Sequence, residues 1–214
     1  MWKPALLLAL GLAAALTLPA EERWQADLDK FLADQKATNY KPGGTVFIGS
    51  SSIRMWDLEK SFPGKGYVNR GFGGSQMFDA VRLADRILLP LKPKTVLVYE
   101  GDNDINSGKS ALEVAGDYQR FVDLVHAKLP ETKIVFIPIK PSLARWELVD
   151  EMRTANMMIR SISERDPRLE YADIDGPMLG ADNKPRPELF RDDGLHMTDA
   201  GYVIWTDVVS QYLD

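Results

Sequence analysis

Three short apolar runs constrain this chain more than anything else in it: "TVFIG" at 45–49, "TVLVYEG" at 95–101 and "KIVFIPI" at 133–139. Each is too short for a buried helix, and none alternates polar with apolar residues as a strand with one wet face does. A continuous run of this length reads as a strand covered on both sides, which is the condition of a parallel sheet. The segments between carry apolar residues at helical spacing. Trp24, Leu28, Phe31 and Leu32 mark one face of a first helix, and Met77, Phe78, Val81, Ala84 and Leu88 that of a second. Ala115, Tyr118, Val122, Val125 and Leu129 mark a third, and Val149, Met152, Ile159 and Ile162 a fourth. The last, from about Asp199, turns Tyr202, Trp205, Val209 and Tyr212 inward. Two weaker strands, "KGYVNRG" at 65–71 and "RLEYADID" at 168–175, complete the alternation. The expectation is an α/β fold, a three-layer α/β/α sandwich around a five-stranded parallel, flavodoxin-like sheet.

Composition narrows the chemistry. A net charge of −5 argues against a nucleic-acid partner, because phosphate binding needs a basic face. The absence of cysteine excludes disulfides, thiolate metal sites and cysteine nucleophiles. The first residues differ from the rest: "MWKPALLLALGLAAALTLPAEE" has one lysine, an apolar run from Ala5 to Leu18, then Pro19 and Ala20 before two glutamates. That pattern predicts a signal peptide over 1–20 with cleavage after Ala20, leaving one domain over 21–214 that is periplasmic or secreted. An uncleaved leader would instead be an anchor, giving transient membrane association.

In a parallel sheet, ligands bind beyond the carboxyl ends of the strands. After the first strand stand Gly49, Ser50, Ser51 and Ser52; after the second, Asn69, Gly71, Gly73 and Gly74; after the third, Gly101, Asp102, Asn103 and Asp104. The chain has two histidines, and one lies in "RDDGLHMTDAGY", where Asp193 precedes His196 by three residues. A serine alcohol becomes a nucleophile when a base takes its proton, and a carboxylate fixes the tautomer of that base. Donors aimed at a developing oxyanion complete the requirement, and Gly74 (backbone N–H) and Asn103 (side-chain amide) are candidates. On the residues alone Ser50 and Ser52 remain alternatives to Ser51, and Asp192 to Asp193.

Four of these blocks stand in one order: "FIGSSSI", "NRGFGGS", "GDND" and "DGLH". In this the chain resembles the SGNH (GDSL-type) hydrolases, and "GSSSI" resembles a recurring subtype of the lipase/acylhydrolase group. The resemblance implies Ser51 as nucleophile, His196 as general base and Asp193 as its partner. It implies Ser51, Gly74 and Asn103 as the oxyanion donors, with neither metal nor cofactor. Ser50 departs from the family's Asp at that position, which lies outside the triad. The expected activity is that of a serine esterase or acylhydrolase acting on a small-molecule, lipid or glycan ester through an acyl-enzyme on Ser51. An acetyltransferase acting on an envelope sugar would use the same triad. A non-catalytic carbohydrate- or lipid-binding protein, or a flavin-binding electron carrier, would leave the triad or the Asp-x-x-His block without purpose.

Other features have plainer readings. "DNDINSGKSALE" places Asp102, Asp104, Asn106 and Glu113 at calcium-loop spacing, but the glycine is displaced and a strand precedes it. "GFGGSQ" has Gln76 where a dinucleotide fingerprint needs its third glycine. His126 lies beside an apolar helical stripe and reads as structural. Trp56, Arg145 and Trp146 lie near strand ends and are candidates to line the site. Arg54 could meet an acidic substrate or pair with a surface carboxylate.

Overall fold

The structure, a computed structural model, describes residues 23–37, 40 and 42–213. The leader expected at 1–20 lies outside the described residues. Five parallel strands form one sheet: β1 (Thr45–Gly49), β2 (Val68–Gly71), β3 (Thr95–Tyr99), β4 (Lys133–Phe136) and β5 (Leu169–Tyr171), in the order β2-β1-β3-β4-β5. The chain winds outward in both directions from β1 and β3, so the switch in strand order lies between these two. Gly49 is in register with Gly71 on one side and Tyr99 on the other, which brings the carboxyl ends of β1, β2 and β3 level.

The longer helices are α1 (Gln25–Ala37), α4 (Met77–Ile87), α6 (Ala111–Lys128), α7 (Val149–Ser163) and α8 (Asp199–Val209), with short turns α2 (Ser51–Arg54), α3 (Leu58–Ser61) and α5 (Asp102–Asn106). Alternation along the buried strands divides the core in two. Val46, Ile48, Val96, Val98, Ile134 and Phe136 face α1, α4, α6 and α7. Phe47, Leu97, Tyr99, Val135 and Ile137 face α2, α3, α8 and the C-terminal loops. This is the expected three-layer α/β/α sandwich.

Two residues assigned to helical stripes lie outside them. The buried residues of α4 are Met77, Ala80, Leu83, Ala84 and Ile87. Phe78, one position on from Met77, is rotated by about 100° and is 43% exposed. Leu32 sits one position past Phe31 at the edge of the stripe in α1 and is 46% exposed. α6 begins with a capping box, Ser110 and Glu113 each bonding the other's backbone N–H.

Candidate active site

The serine segment is formed where β1 meets α2. Ser50 caps the turn with extended backbone and is 2% exposed, as is Ser52. The Ser52 carbonyl accepts the Tyr202 hydroxyl at 2.9 Å. Ser51 lies between them at the first position of α2, partly exposed, and its N–H is one of the donors that a helix start leaves without an intrahelical partner. The Asn69 side chain anchors the turn, donating to the Ile53 and Trp56 carbonyls at 2.6 and 3.1 Å and accepting from the Gly71 N–H at 2.8 Å. Sequence reading had placed Asn69 in the block without giving it this task.

The loop before α8 brings in His196. Gly194, at φ +64°, turns the chain, and the Arg191 N–H bonds the His196 carbonyl at 2.8 Å. Asp193 Oδ1 accepts from the N–H groups of Leu195 and His196, each at 2.9 Å. Its Oδ2 lies 2.6 Å from His196 Nδ1, and His196 Nε2 lies 2.9 Å from Ser51 Oγ. The hydrogen bond from His196, then the Leu195 and His196 N–H groups, hold the Asp193 carboxyl well below the usual carboxylate range. An ionised Asp193 accepts the Nδ1 proton, which leaves the Nε2 lone pair facing the serine hydroxyl. Of three serines and two aspartates left open by the sequence, Ser51 and Asp193 are the ones joined to His196.

The other two blocks follow the ends of β2 and β3, level with the end of β1. Gly74 sits at φ +75°, in the left-handed region where a side chain is strained, and its carbonyl accepts from Arg23 at 3.3 Å. Asn103 is held at both ends of its amide. Nδ2 donates one hydrogen to the Ser75 carbonyl at 2.9 Å, and Oδ1 accepts from Arg145 Nη1 and Nη2, each at 3.2 Å. The second Nδ2 hydrogen remains to be donated. Arg145 also bonds Asp102, as does Lys140 at 2.8 Å; Lys140, 1% exposed, reaches the Tyr99 hydroxyl as well, at 3.1 Å. Burial pushes the Asp102 carboxyl up, but Lys140 and Arg145 outweigh it and hold the group below the ordinary range. Arg145 therefore orients Asn103. Asn156 fixes the chain leading to Lys140 and Arg145, its side-chain amide bonding the Ile139 N–H and carbonyl at 2.8 and 2.9 Å. Lys140 escaped sequence reading because a lysine just past an apolar run is ordinarily a surface residue.

A buried acid stands behind the loop that carries Gly74. Glu100 is wholly buried, with Oε1 2.5 Å from Ser75 Oγ, and its Oε2 has no hydrogen-bond partner among the described residues. Burial pushes its carboxyl well above the usual range, and Asp104, Asp79 and Asp102 add to the effect against the Ser75 hydrogen bond. Ser75 Oγ also bonds the Phe72 carbonyl at 2.9 Å, and since a hydroxyl has one hydrogen to give, a protonated Glu100 would donate to Ser75 Oγ and leave that hydrogen to Phe72. These bonds fix the chain 72–75, which carries Gly74 and whose Ser75 carbonyl receives Asn103.

The structure corrects one expectation about the lining. Trp56 is buried in an aromatic cluster with Phe47, Phe62, Tyr202 and Trp205, and its indole N–H bonds Ser61 Oγ at 2.8 Å, so it faces the core. Trp146 lies beneath the Arg153 guanidinium, 5.7 Å from its ring centroid. The residues at calcium-loop spacing do not converge: Asp102 meets Lys140 and Arg145, Asp104 meets Lys109 and the Met77 N–H, and Glu113 caps α6. Among the described residues no group of three or more His, Asp or Glu side chains is placed to hold a metal. His126 bonds the Thr132 carbonyl at 3.0 Å, a structural contact as expected.

Comparison with known proteins follows the same geometry. The rat "Platelet-activating factor acetylhydrolase IB subunit alpha2" is 28% identical over 199 residues, covering 88% of this chain and 82% of the relative. The structure of a GDSL-like lipase from Bacteroides thetaiotaomicron superposes with a TM-score of 0.76 at 19% identity, covering 87% of this chain and 97% of the other. An acetylxylan esterase from Geobacillus stearothermophilus superposes with a TM-score of 0.64 at 14% identity, covering 79% and 94%. At these identities the two structures show a shared fold. The GDSL-like Lipase/Acylhydrolase family matches residues 48–204, from the end of β1 to the middle of α8 and across all four blocks, and the chain belongs to that family.

Proposed function

We propose that the protein is a serine esterase that hydrolyses short-chain carboxylic esters through an acyl-enzyme on Ser51. The observation that carries this reading is the continuous chain Asp193 Oδ2–His196 Nδ1 and His196 Nε2–Ser51 Oγ, at 2.6 and 2.9 Å, at the carboxyl ends of the strands. His196 Nε2 takes the Ser51 proton as Oγ bonds to the ester carbonyl carbon. The carbonyl oxygen, now negative, receives the N–H of Ser51, the N–H of Gly74 and the second Nδ2 hydrogen of Asn103. His196 returns the proton to the departing alcohol as its C–O bond breaks. Water then attacks the acyl-enzyme by the same route, releasing the carboxylic acid and Ser51. Asp193 remains ionised throughout and stabilises the imidazolium. A short acyl chain is favoured by the acetyl groups named for the platelet-activating factor acetylhydrolases and the acetylxylan esterase.

Hydrolysis of p-nitrophenyl acetate without added metal tests the reading. Ser51→Ala should lower kcat by roughly 10⁴ to 10⁶, and Asn103→Ala by about 10² to 10³, while folded Ser50→Ala and Ser52→Ala lose far less. A fluorophosphonate should add to Ser51, located by mass spectrometry. Folded Ser51→Ala that keeps more than about a tenth of the turnover, a deficit under ~1.4 kcal/mol, removes Ser51 as nucleophile. We propose further that the leader exports the protein, with its mature start near Glu21. N-terminal sequencing of the protein from its native host checks this, and an intact Met1 on a cytosolic product contradicts it.

A further inference from the structure

We propose that Arg54 is an anion-recognition residue of this site and that the ester it serves carries a carboxylate or phosphate group. The inference rests on the esterase reading and adds a substrate feature to it. Ser51 and Arg54 stand one turn apart on α2, so their side chains leave the same face of it. The Arg54 guanidinium lies along the loop that carries Gly74: a Cβ built on Gly73 would stand 2.8 Å from Arg54 Cζ, 2.9 Å from Nη2 and 3.1 Å from Nη1. Gly73 has no positive φ, so its backbone does not demand glycine. What the missing side chain provides there is room for the guanidinium against the loop.

Arg54 is exposed and, among the described residues, its guanidinium makes no hydrogen bond or ion pair. The arginines around it are engaged. Arg145 is held by Asp102 and Asn103. Arg23 donates to the Gly74 carbonyl and lies 4.6 Å over the Trp24 ring, and Arg191 donates to the Met197 carbonyl. The surface-carboxylate partner that the sequence allowed for Arg54 is therefore not there among the described residues. A guanidinium fork matches the paired oxygens of a carboxylate or phosphate. With a net charge of −5, the chain as a whole repels anions, so an anionic ester needs local positive charge at the reacting serine. Arg54 and Arg23 flank the Gly73–Gly74 peptide and supply it.

Three esters test the assignment: p-nitrophenyl acetate, which is neutral; p-nitrophenyl hemisuccinate, with a carboxylate on the acyl side; and 4-acetoxybenzoate, with a carboxylate on the alcohol side. The readout is the ratio of kcat/KM for each anionic ester to that for the neutral one. In Arg54→Ala the ratio for at least one anionic ester should fall about fivefold, the scale of an exposed charge pair, mainly through KM. Arg54→Lys should retain an intermediate ratio and Arg54→Glu should fall below Arg54→Ala. Added salt should shrink the wild-type ratio. Gly73→Ala, whose new methyl takes the place of the guanidinium, should lower the ratio in the same sense. Thermal melts confirm that each variant is folded. Ratios in Arg54→Ala and Arg54→Glu within about 1.5-fold of wild type for both anionic esters, against the fivefold expected, overturn the role of Arg54 and leave the esterase reading standing. A wild-type protein that hydrolyses none of the three overturns the esterase reading, and this inference with it.

Discussion

The two faces of the sheet are built on different principles. On one, α1, α4, α6 and α7 cover Val46, Ile48, Val96, Val98, Ile134 and Phe136 with repeating stripes, much of them aliphatic. On the other, a single long helix, α8, packs with the turns after β1 around an aromatic cluster. Trp205 has its ring centroid 4.8 Å from Tyr99, 5.5 Å from Trp56 and 6.3 Å from Tyr202, and Phe47, Phe62 and Tyr67 extend the contact. The aromatic face also joins the serine segment to the histidine segment. The stacking of Trp56 on Tyr202 at 5.7 Å, and the hydrogen bond from Tyr202 to Ser52, tie α2 to α8 directly. The helical face supplies bulk burial. The aromatic face supplies burial and sets the distance between Ser51 and His196.

The largest effect expected from this contrast comes from emptying each face in turn. Trp205→Ala and Phe121→Ala each remove a fully buried aromatic side chain and should each cost about 3–5 kcal/mol in urea unfolding. Turnover should separate them. At a temperature where both are folded, Trp205→Ala should lose kcat severalfold because α8 and the His196 loop lose their seat, whereas Phe121→Ala should keep most of it. Equal kcat in the two variants would erase the distinction between the faces.

A smaller effect concerns charge. The acids Glu100 and Asp102 flank Gly101 and are both buried, but their surroundings differ. Asp102 has Lys140 and Arg145; Glu100 is faced by Ser75, Asp104, Asp79 and Asp102, and no cation bonds it among the described residues. For Asp102 the folded carboxyl is depressed, so its contribution is present above the unfolded value near about 3.9 and is lost as pH falls through the folded one. For Glu100 the sign is opposite. Its folded carboxyl is raised, so stability is full below the unfolded value near about 4.3 and declines as pH rises toward the folded one. Glu100→Gln, which keeps a donor for Ser75 Oγ, should therefore gain thermal stability relative to wild type as pH goes from 4 to 8. A melting-temperature difference that stays flat over that range would mean that Glu100 is ionised in the fold.

The smallest effect sharpens the link between α2 and α8. Tyr202→Phe keeps the stacked ring and removes the hydroxyl from the Ser52 carbonyl, a loss of about 1 kcal/mol with a change in kcat of only a few fold. Urea unfolding and the turnover of p-nitrophenyl acetate read both quantities. Loss of stability well beyond that of an ordinary buried hydrogen bond would show that the hydroxyl, rather than the ring, holds the two segments.

The sequence by itself determined the architecture and the address of the site. Apolar runs and helical stripes are local signals, so five strands, their alternation with helices and the order of the four blocks were legible, as was the placing of His196 beside two aspartates on one short loop. The misplacements of Phe78 and Leu32 arose where a stripe has an edge that periodicity alone does not draw. Tertiary structure decided the rest. Three adjacent serines have the same chemistry, and Ser51 is distinguished because the turn of α2 buries Ser50 and Ser52 and points the middle one at a histidine 145 residues away. Packing also turned Trp56 into the core, gave Asp102 two cations from the chain after β4, and left Glu100 without one among the described residues. The physical reason is common to all of these. Strand and helix follow from neighbours in the chain, whereas a hydrogen bond across the sheet and the charge of a buried acid depend on which groups distant segments bring into contact.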